Sequence, residues 1–285
     1  MRKMLSAVLL GLILLPAVYG GQFWLKAGGG VATLNGGDYN RAVPGSNNLY
    51  RVLYTNVSGV LAKLDRGLDL ALEAGVGFGR HWNLSVGLGY LSAKEVSNIA
   101  YDWKFGPNTY HDTIAIDPHF SAIELSLNAA YVIPIGPVRL NLEAGPGLYF
   151  CRFASDSDFT STQLDWSYSY QFRADRVAPG VRGGVGIEVA VSRRLAVVLD
   201  VLGRYVRVND IQGTGTVSGT IAGASYADSL PGQSFWYYEY VTGNVNYPQT
   251  SFQAFEPTSY LITNARKGRF DFTGVSATFG FKYSF

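Results

Sequence analysis

Residues 275–285 read VSATFGFKYSF. Val275, Ala277, Phe279, Phe281, Tyr283 and Phe285 are apolar or aromatic, while Ser276, Thr278, Gly280, Lys282 and Ser284 between them are small or polar. A period of two belongs to a strand, whose successive side chains point to opposite faces. A strand of this length with one greasy face can cross a bilayer only if its backbone groups are paired on both sides. Lipid offers no substitute partners, so spanning strands close into a barrel.

The same alternation recurs upstream. Apolar sets fall at Phe23, Leu25, Ala27, Val31; at Leu68, Leu70, Leu72, Val76, Phe78; at Trp82, Leu84, Val86, Leu88, Tyr90; at Ile123, Leu125, Leu127, Tyr131; at Val138, Leu140, Leu142, Leu148, Phe150; at Val181, Val185, Ile187, Val189, Val191; and at Leu195, Val197, Leu199, Val201, Tyr205. The fold expected is all-β, a transmembrane antiparallel up-and-down β-barrel of eight strands with long extracellular loops. Ten strands remain open if 208–268 hides a further spanning hairpin. Short turns are read at 79–81, at 134–137, where Pro134, Gly136 and Pro137 break a ladder, and at 192–194. Long connections are read at 34–66, 94–118, 155–177 and 208–268. Their alternation puts the short turns and both termini on the periplasmic side. The aromatic runs 164–172 and 235–241 are read as hairpins projecting above the bilayer, partly as an outer aromatic girdle.

Composition agrees. Hydrophobic residues make up 47% and charged residues 15% of 285, with a net charge of +2. An ordinary soluble surface carries more charge, and near-neutrality gives no reason to invoke nucleic acid. Past residue 20 no apolar run reaches the roughly 20 residues of a spanning helix. Residues 1–20, with Arg2 and Lys3, an apolar stretch and small residues up to Gly20, have the order of a cleaved secretion signal. That leaves 21–285 as one barrel domain. Cys151 is the only cysteine, so no internal disulfide is available.

With its signal-like start, its amphipathic strands and a last strand closing on Tyr283 and Phe285, the chain resembles the small outer-membrane β-barrel proteins of the OmpA, OmpX and OmpW type, opacity-protein-like barrels included. The stretch from Gly184, Val185, Gly186, Ile187 and Glu188 through Ser192, Arg193, Arg194 and Leu195 to Tyr205 looks like their penultimate hairpin. The resemblance implies residence in the bacterial outer membrane. It also implies contact with outer-membrane lipids and lipopolysaccharide, and recognition of Tyr283 and Phe285 by the barrel-assembly machinery. No cell-wall-binding domain is expected after Phe285.

Inverting the lipid-facing sets puts the strand charges inside. Asp69, Glu124, Arg182 and Arg204 lie nearer the outside; Lys26, Arg139 and Lys282 face Glu73, Glu143, Glu188 and Asp200 below. An eight-stranded barrel is just wide enough for its side chains to fill it, and an unpaired buried charge costs several kcal/mol. The expectation is a plugged polar core, with a gate as the rival reading. Inward Gly28, Gly75, Gly77, Gly87, Gly89, Gly145, Gly147, Gly184 and Gly186 either match bulky neighbours or mark hollow places.

His119 and Ser121 share a strand face and faintly resemble the His-x-Ser pair of lipid A deacylases. No acid is placed beside them, and the flanking Asp117, Pro118, Ala122 and Ile123 do not match that motif. His111 next to Asp112 has no nucleophile; His81 beside Trp82 suits a membrane interface. Metal-ligand clusters, phosphate loops and calcium-loop spacing among Asp156, Asp158, Asp210 and Asp228 are all missing, so neither cofactor nor catalysis is expected. Three functions stay open: a structural or surface-interaction barrel acting through its outer loops on an unknown ligand, a narrow channel for small or hydrophobic solutes, and a lipid A-modifying enzyme.

Overall fold

The computed structural model describes residues 22–285; the expected leader, 1–20, lies outside them. In chain order the elements are β1 Gln22–Thr33, α1 Gly37–Leu53, β2 Thr55–Gly59, β3 Arg66–Phe78, β4 Trp82–Lys94, β5 Ser97–Phe105, β6 Asn108–Ile135, β7 Val138–Ser161, β8 Trp166–Ala190, β9 Leu195–Val208, β10 Gln212–Ile221, β11 Ala224–Thr242, β12 Val245–Gln253, β13 Ile262–Lys267, β14 Phe270–Asp271 and β15 Gly274–Ser284. Antiparallel pairings run β1–β3–β4–β6–β7–β8–β9–β15 and return from β15 to β1, closing a barrel. Each stretch read above as spanning falls in one strand of that ring, with Val191 and Phe285 just past the ends of β8 and β15. Around it the outward side chains, such as Leu72, Leu88, Leu127, Leu148, Val185, Leu199 and Phe281, stand exposed as an apolar belt.

The belt ends in register. Tyr90, Ile123, Phe150 and Val177 are neighbours across β4, β6, β7 and β8; two residues further on, the same outward face carries Ser92, Ser121, Arg152 and Asp175. Ion pairs follow there, Arg152 to Asp175 at 2.9 Å, Lys94 to Asp117 at 2.8 Å and Arg173 to Asp156 at 2.7 Å. On β7 the apolar outward residues thus occupy 138–150, about what a tilted spanning strand needs. The strand continues to Ser161 above the belt.

Here the structure departs from the expected loops. β6, β7 and β8 are 28, 24 and 25 residues long, against 12, 13 and 11 for β1, β3 and β15. The wall is tall on one side only, extended by β5 and β2 beyond β6 and by β10 and β11 beyond β8. Connections 94–118 and 155–177 are this sheet. Pro134, expected to break the ladder, lies within β6 opposite Arg139; the reversal itself is Gly136, at φ 62°, with Pro137.

Two further pieces fold inward. At 231–232 the chain bends through Pro231 and Gly232, the latter at φ 70°, and from Phe235 onward β11 pairs with β12 and β13 rather than β10. Phe252 of β12 stacks on Phe172 of β8 with ring centres 4.1 Å apart, and the Tyr170 hydroxyl donates to the Phe252 carbonyl at 3.3 Å. The hairpin therefore lines the inner face of the tall wall. Against it packs α1, an element absent from the all-β expectation. Asp38 at its start takes both Arg266 guanidinium nitrogens at 2.6 Å, and Ser46 reaches Gln249 at 2.9 Å.

Candidate functional site

The strands bring the inward charges together in the lumen. Arg182 meets Glu73 at 2.5 Å, Glu143 at 2.8 Å and Glu124 at 3.2 Å. Lys26 meets Asp200 at 3.0 Å, Glu73 at 3.1 Å and Glu143 at 3.6 Å. Arg204 pairs with Asp69 at 3.0 Å and donates to the Phe272 carbonyl at 3.2 Å. Lys282 pairs with Glu188 at 2.8 Å and lies 4.6 Å from the centre of the Trp24 ring. All of these are buried. Arg139 is the outlier, half exposed at the short-turn end, where it reaches Glu188 at 3.1 Å. Arg182 bridges the two depths expected for these charges by holding Glu124 together with Glu73 and Glu143, while Arg204 with Asp69 and Glu188 with Lys282 and Arg139 form separate pairs above and below.

Some inward glycines sit under bulky groups, while Gly28, Gly145 and Gly184 lie against the backbone of a neighbouring strand. A side chain at Gly75 would strike the Trp24 indole, at Gly147 and Gly180 the Tyr149 ring, and at Gly186 the Asp200 carboxylate. Small residues thus make room for large ones across the lumen. The space among the charges, beside Asp69, Glu124, Arg182 and Arg204, is about 10 Å³, roughly one water. A larger recess of about 410 Å³ lies elsewhere, on the outward side of the tall wall beside Ser58, Asn98, Thr113 and Asp158.

Above the charges the lumen turns apolar. Phe120, Phe153, Phe172, Phe235, Phe270 and Phe272 pack with Leu34, Leu64 and Val206 in one buried cluster, with Phe120 and Phe270 centred 4.3 Å apart. Sequence reading misses this plug, because an aromatic residue on a spanning strand ordinarily marks the lipid side. Strand parity holds the signal: counting back from outward Val181, the residues Phe172, Tyr170, Tyr168 and Trp166 fall on the inner face. They are therefore no outer girdle.

The mouth beyond the plug is lined by aromatic side chains from several elements. Tyr54 stacks on Tyr101 at 4.1 Å with Tyr50 5.5 Å from Tyr101, Trp103 stacks on Tyr110 at 4.5 Å, and Phe159 stacks on Tyr168 at 5.0 Å. Burial pushes the Tyr50 phenol up to about 12 and raises Tyr54 and Tyr168, so these hydroxyls stay protonated at neutral pH. Among them is Asp112, 4% exposed, with one carboxylate oxygen accepting from the Trp103 indole at 2.7 Å. Its other oxygen, the Ser161 hydroxyl and the Trp166 indole nitrogen have no partner among the described residues. Asp112, Ser161 and Trp166 are direct neighbours across β6, β7 and β8.

The histidines have partners other than their sequence neighbours. His119 bonds Ser92 at 3.0 Å on the outward face, not Ser121. His111 engages Asp102 at 2.7 Å rather than adjacent Asp112, and Asp102 also takes the Asn56 amide at 2.6 Å. His81 meets the Val132 carbonyl at 2.9 Å beside Tyr131. Cys151 is buried in the plug, and among the described residues there is no group of three metal-ligating side chains. Tyr283 and Phe285 pack together 5.0 Å apart, Phe285 also 5.1 Å from Phe23.

No family model matches the chain, and no curated protein matches it. Among solved structures it is similar to a major outer membrane protein from Thermus thermophilus, at 14% identity over 93% of this chain and 99% of that one, with a TM-score of 0.39. It is also similar to the outer membrane protein OprG from Pseudomonas aeruginosa, at 14% identity over 93% and 96%, with a TM-score of 0.32. Neither likeness bears on function.

Proposed function

We propose that this chain is an integral protein of the bacterial outer membrane whose barrel is a closed scaffold and whose mouth, on the outer side, contacts other surfaces. The observation that carries this is the filled lumen: a buried ion-pair body, then an apolar plug, with about 10 Å³ of space beside Arg182 and Arg204. The belt fits lipid tails, and the polar rim directly above it fits headgroups, lipopolysaccharide included. Short turns and both termini then face the periplasm, and Tyr283 with Phe285 offer the assembly machinery its handle. His119, held by Ser92, gives no basis for lipid A chemistry. The rival reading is a narrow channel for small or hydrophobic solutes; the buried ion pairs and the aromatic cluster above them weigh towards the scaffold.

Two measurements test this. In a planar bilayer the folded protein is expected to stay silent across a range of salt; stable, salt-scaled steps would overturn the closed-scaffold reading. Cells carrying the protein are expected to lose surface attachment when 213–260 are deleted, with the barrel still assembled.

A further inference from the structure

We infer that the aromatic mouth binds a neutral, hydroxyl-rich sugar chain, stacked on Trp103, Tyr54 and Tyr168 and hydrogen-bonded at Asp112 and Ser161. This names the ligand class of the surface-contact reading above and rests on it. Three stranded polar atoms carry the inference. The free Asp112 oxygen can only accept, the Trp166 indole can only donate, and the Ser161 hydroxyl does either. They lie side by side on adjacent strands. A buried polar atom without a partner is a standing penalty, and a group that both donates and accepts relieves all three at once. Hydroxyls do this; carboxylates and phosphates, which only accept, do not.

The surroundings favour the same ligand. Aromatic faces with polar edges, such as stacked Trp103 and Tyr110 or Tyr54 and Tyr101, suit a molecule that is apolar on its C–H face and polar at its rim. Charge argues against an anion. Asp112 has no ion-pair partner among the described residues, and Glu239 on β11 is engaged by the neutral amides of Asn246 and Asn264. The three atoms are closed to solvent in the free chain, so binding requires local opening of the mouth, whose cost the new hydrogen bonds offset.

The test uses the protein folded in lauryldimethylamine oxide, a detergent without sugar, and titrates neutral hexasaccharides of glucose, mannose and N-acetylglucosamine by calorimetry. At least one should bind saturably. Trp103→Ala and Asp112→Asn should each weaken it about tenfold while keeping the heat-modifiable gel migration of a folded barrel; Tyr168→Leu replaces either variant that fails to fold. An acidic hexasaccharide should bind more weakly than its neutral counterpart. Absence of saturable binding by all the neutral probes, or variants that bind like the parent, would overturn the inference. If surface attachment still depended on 213–260 in that case, the surface-contact reading would stand without it.

Discussion

Arg182 shows what a buried ion pair means inside a barrel. Its guanidinium is the common partner of Glu73, Glu124 and Glu143, so Arg182→Met would leave like charges facing each other with little water. Breaking a buried pair from one side costs about 3–5 kcal/mol; a drop of that order in urea stability is expected, and an unchanged midpoint would show that the carboxylates find other partners. Asp102, by contrast, is only partly buried. Hydrogen bonds from Asn56 and then His111 hold its carboxyl below the ordinary range, and a lowered value adds stability that is complete above the unfolded value of about 3.9 and vanishes as pH falls through the folded one. Protection of the amides in β2 and β5, with their intrinsic exchange rates divided out, should therefore fall only below about pH 4, and Asn56→Ala should make that fall smaller. The luminal charges were legible in the sequence because charge on a strand otherwise greasy on its other face has one place to go. The partners were not: which acid Arg182 meets depends on register across strands far apart in the chain.

Elements were legible where they alternate and obscure where they do not. The ring strands announce themselves by period two. Helix α1, GDYNRAVPGSNNLYRVL, hides because Pro44 and Gly45 sit in its middle, residues that ordinarily end a helix, and because the face it buries includes Asp38, Asn40 and Ser46. Tertiary contacts make up for its weak propensity: Asn40 both donates to the Leu64 carbonyl at 2.9 Å and accepts the Leu64 amide at 2.7 Å, and Gly45 lies so close to Pro248 that a β-carbon would strike its backbone. Gly45→Val is expected to pry α1 from β12. Limited proteolysis should then cut within 37–53 while the heat-modifiable barrel survives; resistance equal to the parent would mean that α1 is held from elsewhere. The long strands read as loops because polar residues return to the outward face above 150, and polar alternation in water has the same look as a loop.

For the assembled protein, the two fillings of the lumen act in series. The plug depends on Phe235, Phe252 and Phe270 from the region 208–272, while the ion pairs come from the ring strands alone. Deleting 213–260 should therefore leave the bilayer silent, as should Arg182→Met, and only their combination should conduct. Conductance from the deletion by itself would place the seal in the plug. The barrel class and a core of paired inward charges could be read from the strands of the sequence, whereas the aromatic plug could not, since it is made by inward aromatics whose sense reverses the rule that identifies the belt.

The one-sided wall has a consequence for neighbours. β6, β7 and β8 rise above the belt while β1, β3 and β15 stop near it, so the protein has a back and a front within the plane of the membrane, like a chair. Two copies meeting back to back would hold their mouths apart and facing away; two meeting front to front would enclose a shared space. Crowding in the membrane would thus set which way each mouth looks, and with it whether a long molecule arriving from outside is met by single copies or by pairs.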